Sequence, residues 1–376
     1  MNTTISPYKQ YINGQWQTSS SGKLDQILNP STEEIVGSVQ DGTKEDAIAA
    51  LEAAEAAQKA WRRLPARTRT DYLHAFVDEI KANRDRLAEL LVKEQGKLLS
   101  LAKIEVDVTC TFIEYACEWA RRIEGDILPS DNPGEQIWIQ KVPRGVVVAI
   151  TAWNFPLALA GRKLGPALVA GNTLVLKPTP EAPLSTLELC EMAKKAGIPD
   201  GVINMVTGGV EVGKALVESP ITKMVTMTGS TPTGQAIFRS AAQNLTHVQL
   251  ELGGKAPCII FDDADLDQAV AGALHSRFDN CGQVCTCNER MYVQEGIYDA
   301  FMEKFMEKVK ALNLGDPMLD DTDIGPKMNA QEVANMERLV AKSVEEGATI
   351  AFGGQRPAGE AFAKGYWFEP TVLTNV

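Results

Sequence analysis

At 376 residues the chain is longer than one hydrophobic core usually organises, and 44% hydrophobic with 23% charged residues describes an ordinary globular protein, so two or more domains are expected. An excess of 49 acidic over 37 basic residues gives a net charge of −12, which disfavours nucleic acid or an anionic membrane as the main partner and leaves small molecules and protein subunits. Seven cysteines in no small-domain disulfide pattern, a polar Met1–Gln17 start without a secretory leader, and no apolar run long enough to span a bilayer together read as a cytoplasmic protein.

Thr43 and Asp46 form a capping-box pattern, after which Ile48, Leu51, Ala54 and Trp61 recur at helical spacing until Pro65. A second helix places Leu73, Phe76, Val77 and Ile80 on one face, and a third places Phe112, Tyr115, Ala116 and Trp119 likewise; all three read as scaffold. Residues 126–144 change character: a Pro/Gly/Asn-rich turn is followed by Gln136-Ile-Trp-Ile-Gln140, which suggests a hairpin or an edge strand. From Gly145 the pattern is strand, loop, helix. The runs 145–152, 173–177, 202–206 and 223–228, with helical stretches such as 184–196 between them, are how parallel βαβ units read. Residues 257–261 begin a second series, continued by a helix after Asp265, by 291–293 and by the amphipathic stretch 297–312. Two α/β lobes are therefore expected to meet near residue 250, with ligands at the carboxyl ends of the strands.

The segment Asp279-Asn-Cys-Gly-Gln-Val-Cys285-Thr-Cys-Asn-Glu-Arg290 puts a thiol in a Gly/Gln-containing loop just before an apolar strand. Standing alone, Cys285 reads equally as one of seven ordinary thiols. A carboxylate, Glu251, stands 34 residues upstream in Glu251-Leu-Gly-Gly-Lys255, in what reads as a turn, and none of His74, His247 and His275 lies near either segment. If Cys285 is the nucleophile, Glu251 is the expected base. Asn154, after the first parallel strand, could donate to an oxyanion or cap a turn. Lys177, after the next strand, could bind a phosphate or a ribose hydroxyl, or be a solvated loop lysine. Gly208-Gly209 with Gly213, and Thr228-Gly-Ser230-Thr231, are strand-to-helix turns able to approach a pyrophosphate, but neither has the Gly-x-Gly-x-x-Gly spacing.

Taken in order, Trp153-Asn-Phe-Pro156, Leu176-Lys-Pro178, Thr228-Gly-Ser230, Glu251-Leu-Gly-Gly-Lys255 and Gly282-Gln-Val-Cys285 resemble the aldehyde dehydrogenase superfamily, with further likeness from Tyr11-Ile-Asn-Gly-Gln15 through Ile324-Gly-Pro326 to Gly365-Tyr-Trp-Phe-Glu-Pro370-Thr371. The resemblance implies an α/β fold of two open lobes: a Rossmann-like cofactor domain over 1–125 and 146–250, a catalytic domain over 251–376, and a protruding oligomerisation hairpin over 126–145. It implies that Cys285 attacks an aldehyde, that Asn154 and the Cys285 N–H hold the oxyanion, and that hydride passes to a nicotinamide. Glu251 then activates the water that hydrolyses the thioester, and Lys163 supports the oxyanion and proton-transfer region. Cofactor contacts would come from Ala152, Trp153, Lys177, Thr179, Glu181, Gly208, Gly213, Lys214, Ser230, Thr233 and Leu252, with Lys177 at the adenosine ribose and Ser230 at the pyrophosphate. No metal is implied.

Arg162, Phe155 and Thr286 would border the aldehyde, and a guanidinium there favours a small polar or anionic substrate. The Arg162-Lys163 pair and the Cys-x-Cys loop are shared by the lactaldehyde/glycolaldehyde and succinate semialdehyde types. Tyr115, Trp119-Ala-Arg-Arg122 and Met227-Thr-Gly-Ser230 sit closer to the first, whereas Thr286 replaces its asparagine. NAD is expected first and NADP second, because Pro180 stands where NAD-preferring members often carry glutamate, with Glu181 one step later. A Cys285–Cys287 link under oxidation is the lesser reading beside a merely packed Cys287. The chain ends soon after Pro370-Thr-Val-Leu373, where the resemblance continues into a Glu-x-Phe-Gly-Pro segment, so a C-terminally truncated chain is expected. The alternatives are therefore an aldehyde-oxidising enzyme, a homodimer or homotetramer when intact, and an inactive fragment keeping binding or subunit surfaces. A thiol hydrolase is disfavoured by the missing histidine.

Overall fold

Strands β1 (Gln10–Ile12) and β2 (Gln15–Gln17) are joined by the two-residue turn Asn13-Gly14, both at positive φ, the geometry of a tight hairpin. A ribbon of β3 (Leu24–Leu28) and β4 (Ile35–Gln40) follows. Helix α1 (Lys44–Trp61) then starts at a complete capping box: the Asp46 N–H donates to Thr43 Oγ1 at 3.3 Å and the Thr43 N–H donates to Asp46 Oδ2 at 2.8 Å. Leu51, Ala54 and Trp61 are buried as the spacing requires, whereas Ile48 faces solvent and Ala47 and Ala50 take its place inside. Helix α2 (Ala66–Ala82) buries Leu73, Phe76, Val77 and Ile80 together.

Helices α3 (Arg84–Gln95) and α4 (Leu99–Glu118) lead to the hairpin β5 (Asp126–Pro129) and β6 (Gln136–Ile139), whose side chains, including Ile127 and Trp138, are all exposed. The α4 face read as scaffold is only partly so: Ala116 is buried, but Tyr115 and Trp119 are 59% and 45% exposed. From there β7 (Val146–Ile150), α5 (Pro156–Val169), β8 (Thr173–Lys177), α6 (Leu184–Lys195), β9 (Ile203–Met205), α7 (Val210–Glu218), β10 (Thr222–Gly229), α8 (Thr231–Ala241) and β11 (His247–Leu252) alternate. One seven-stranded sheet results, in the order β11-β10-β7-β8-β9-β1-β2. Strands β10, β7, β8 and β9 run parallel and β1 closes antiparallel onto β9. The parallel strands are apolar on both faces because helices cover both sides.

The remainder comprises β12 (Ala256–Ile260), α9 (Leu266–Phe278), β13 (Asn288–Val293), α10 (Glu295–Lys310), α11 (Ala330–Glu345), β14 (Thr349–Phe352) and β15 (Val372–Thr374). Its core gathers Ile260, Val270, Phe301, Phe305 and Val309, with the two Phe rings stacked at 5.3 Å. Strands β12 and β13 pair in parallel and β14 and β15 antiparallel, as separate pairs rather than one wide sheet.

This computed structural model describes residues 7–376, so the first six residues of the Met1–Gln17 stretch lie outside it. The described residues divide into a unit of residues 7–26, 37–87 and 104–251 and a unit of residues 27–36, 88–103 and 252–376. The sequence division near residue 250 put 27–36 and 88–103 in the first lobe; they cluster with the second. Within that unit the Leu99 N–H donates to the Pro317 carbonyl at 2.9 Å, a long-range pairing no local pattern announces. Among the described residues no helix is long and apolar enough to cross a membrane, and no His/Cys/Asp/Glu group could hold a metal ion.

Candidate active site

In the first unit the carboxyl ends of β7, β8, β9 and β10 lie along one edge, which brings together Ala152-Trp153-Asn154, Lys177, Gly208-Gly209 and Gly229-Ser230. After β7 the chain turns sharply: Phe155 is the N-cap of α5 and Pro156 is its first residue, where a missing N–H costs nothing. The buried Glu105, from α4, accepts the N–H groups of Leu157 and Ala158 at Oε1, at 2.8 and 3.2 Å. This anion at a helix N-terminus fixes the start of α5, and with it the half-buried Asn154. Gly161 and Gly165 let α5 approach α4 closely, since a Cβ on either would fall within about 3 Å of Thr109, Ile113 or Ala116.

Consecutive residues on a helix diverge by about 100°, so Arg162 and Lys163 serve different surroundings. Lys163 is buried, and burial lowers its pKa to about 8, with Glu251 opposing and Arg162 adding to the shift. Its Nζ donates to Thr226 Oγ1 at 3.1 Å; Thr226 donates to Gln249 Oε1 at 2.5 Å; Gln249 Nε2 donates to Glu251 Oε1 at 2.8 Å. Glu251 therefore lies inside strand β11, where the sequence suggested a turn, with its exposed carboxylate held from within the sheet. Arg162 is exposed and stands 5.4 Å from the Phe112 ring centroid, in a cavity of about 430 Å³ walled by Phe112, Tyr115, Trp119 and Ile123. Phe155 lies two helical turns from Arg162, outside the wall formed by the described residues.

Lys177 is buried, contrary to the solvated-loop reading: its Nζ donates to the carbonyls of Gly208 at 2.7 Å and Pro178 at 3.1 Å. Burial lowers its pKa to about 8, with Glu181 opposing. Thr179 donates to the exposed Glu181 carboxylate, and a Cβ on Gly213 would reach the Lys177 side chain. Ser230 caps α8, accepting the Thr233 N–H at 3.4 Å. Lys214 points outward along α7 to Glu218 at 4.0 Å, away from the strand-end cluster. Two buried hydroxyls at this edge, Thr151 Oγ1 after β7 and Thr228 Oγ1 on the neighbouring β10, have no hydrogen-bond partner in the protein. Buried polar atoms left so are costly, and here they fit a polar ligand lying along the strand ends.

In the second unit, Cys285 and Thr286 are the exposed tip of a turn between α9 and β13, and Leu252 is half-buried at the end of β11. The turn is built on left-handed backbone, with φ of 46°, 59° and 72° at Asn280, Cys281 and Gly282, which strains the two residues that are not glycine. Three contacts hold it. Lys327 Nζ donates to the Cys281 carbonyl at 3.1 Å, the Met328 N–H donates to Gln283 Oε1 at 3.0 Å, and Gln283 Nε2 donates to the Asn280 carbonyl at 3.1 Å. Cys287 faces inward, accepting from Arg277 Nη1 at 3.2 Å, and all seven thiols are free. Lys327, Arg277, Thr226, Gln249 and Glu105 escaped the sequence reading. None of the five carried a local signal, since even Thr226 shares its strand with Thr222, Lys223 and Thr228.

The sequence model of the aldehyde dehydrogenase family matches residues 16–376. The chain belongs to that family. It is 60% identical over 370 residues to 3,6-anhydro-alpha-L-galactose dehydrogenase of Vibrio sp. (strain EJY3), covering 98% of this chain and 77% of the relative. To lactaldehyde dehydrogenase of Escherichia coli (strain K12) it is 44% identical, again over 98% and 77%. A solved structure of 3,6-anhydro-L-galactose dehydrogenase in complex with NAP superposes with a TM-score of 0.97 at 60% identity, over 99% of this chain and 78% of that one.

Proposed function

We propose that this aldehyde dehydrogenase oxidises a small hydroxylated aldehyde to its carboxylic acid through a thioester on Cys285, with NAD(P) as the two-electron oxidant. The observation that carries the reading is the exposed thiol at the tip of a strained turn held by Lys327 and Gln283, while the Lys163-to-Glu251 chain of hydrogen bonds presents a carboxylate without help from histidine. Cys285 is the nucleophile, and Asn154 donates to the oxyanion as its carbon becomes tetrahedral. Glu251 takes a proton from the water that cleaves the thioester. Lys177, the Gly208-Gly209 turn, the Ser230 cap and the unpartnered Thr151 and Thr228 hydroxyls are the groups that would hold the nucleotide, with Ala152, Trp153, Thr179, Glu181, Gly213, Thr233 and Leu252 around it. Lys214 is the weakest of these assignments because it is engaged by Glu218. We place the 2′-position near Pro180 and Glu181, where the missing glutamate favours use of both NAD and NADP.

Arg162 and its aromatic cavity support a substrate with hydroxyl or carboxylate groups, and the two relatives are named for 3,6-anhydro-alpha-L-galactose and for lactaldehyde. Succinate semialdehyde is the second reading, favoured by the guanidinium alone. The exposed apolar hairpin at 126–145 supports pairing into a dimer or tetramer, and the free thiols support a cytoplasmic setting. The test follows NAD(P)H formation with 3,6-anhydro-L-galactose, lactaldehyde, glycolaldehyde and succinate semialdehyde. Hydroxylated aldehydes turn over fastest and Cys285→Ala abolishes the activity; well-folded protein without turnover, or an active Cys285→Ala, overturns the reading.

A further inference from the structure

We infer that Thr226 and Gln249 are positioning residues that orient Glu251 for hydrolysis of the acyl-enzyme, leaving Oε2 as the oxygen that takes the proton. The argument rests on the reading of Glu251 as the base and on the direction of three hydrogen bonds. An ammonium can only donate, so Thr226 Oγ1 must accept from Lys163 Nζ and spend its single proton on Gln249 Oε1. That fixes which end of the amide is which. The NH₂ of Gln249 is then directed at Glu251 and occupies Oε1. The Glu251 oxygen that meets this donor is thereby reserved as an acceptor, which leaves Oε2 to take a proton. Thr226 and Lys163 are both buried, so this end of the chain is a fixed anchor rather than a solvated contact. Glu251 is exposed at the other end, where the bond from Gln249 restrains the rotamers of its side chain within the strand.

The step served is thioester hydrolysis. The water oxygen bonds to the acyl carbon, one water proton goes to Glu251 Oε2, and the carbon–sulfur bond breaks with its electron pair returning to Cys285. The amide of Gln249 does not carry the proton; it holds the acceptor in place. Acylation and formation of the first NAD(P)H precede this step and do not need it.

Gln249→Leu and Thr226→Val separate the two phases in stopped-flow and steady-state measurements on the full chain with lactaldehyde. The first equivalent of NAD(P)H forms at the parental rate, whereas kcat falls about tenfold to a hundredfold, the range expected when a base loses its alignment. Mass spectrometry finds the acylated Cys285 accumulating in both variants, and Thr226→Ser, which keeps the donor and acceptor, restores the turnover lost in Thr226→Val. A purely structural role would lower the burst and the steady state together and would not be rescued by serine; that result, or parental kcat in Gln249→Leu, overturns the inference while leaving Glu251 as the base. A parent protein that forms no acyl-enzyme removes the proposed function, and the inference with it.

Discussion

Replacing Lys163 with methionine changes how the stability of the first unit depends on pH. The ordinary lysine pKa of 10.5 applies in the unfolded chain, and burial lowers it to about 8 in the folded one. Below the folded value both states hold the proton, so the folded state carries the whole cost of the buried charge. Between the two values the unfolded chain keeps a proton that the folded chain has released, so stability rises with pH through that window. From pH 7 to 9.5 the expected gain is about 2 kcal/mol from this one group. Other titrating groups, Lys177 and Tyr11 among them, are common to parent and variant and cancel in the comparison. Five of the six tryptophans lie in the first unit, so urea unfolding followed by tryptophan fluorescence reports it directly. The parent should gain about 2 kcal/mol more than Lys163→Met over that interval. Parallel pH dependences in the two proteins would show that Lys163 is solvated in solution and would refute the reasoning.

Three other outcomes follow from the same structure. Thr43→Ala removes the capping box of α1 and should cost about 1 kcal/mol in urea unfolding, with activity of the folded protein unchanged. Glu105→Ala leaves the Leu157 and Ala158 N–H groups without their buried acceptor and should cost about 3 kcal/mol, with a loss of turnover as the Asn154 end of α5 loosens; unchanged stability would mean water replaces the carboxylate. Arg162→Leu should raise KM for succinate semialdehyde and hydroxylated aldehydes about tenfold with kcat nearly unchanged, as for loss of one charged hydrogen bond. An equal effect on an unsubstituted alkyl aldehyde would count against a polar contact.

Much of this molecule is local in origin. The α1 capping box, the 173–177 strand, the buried face of Leu73, Phe76, Val77 and Ile80, and the hairpin at 126–145 each follow from a few neighbouring residues, because caps, pleats and helical stripes are short-range geometry. The motif order likewise carried the family, since motif residues at strand ends are tied to the ligand rather than to the surrounding core. Other features required the third dimension. From its local sequence Lys177 read either as a ligand-binding group or as a solvated loop lysine, and only the tertiary structure showed that it is buried, with its Nζ donating to the Gly208 carbonyl. Tyr115 and Trp119 have the spacing of a core face, yet they wall a cavity with Arg162, because helical periodicity shows which residues share a face and not what that face meets.

The sequence by itself determined the parallel α/β pattern, the nucleophile and base candidates, and the likeness to aldehyde dehydrogenases, all of which reside in residue type and order. Only the tertiary structure decided that Lys163 reaches Glu251 through Thr226 and Gln249, that Glu105 caps the helix behind Asn154, and that segments 27–36 and 88–103 join the second unit. The physical reason is that, apart from the short Gln249–Glu251 link, these pairings join residues far apart in the chain. A hydrogen bond or a packed contact across such a separation is set by how the sheet and helices assemble, and leaves no periodic trace in the sequence.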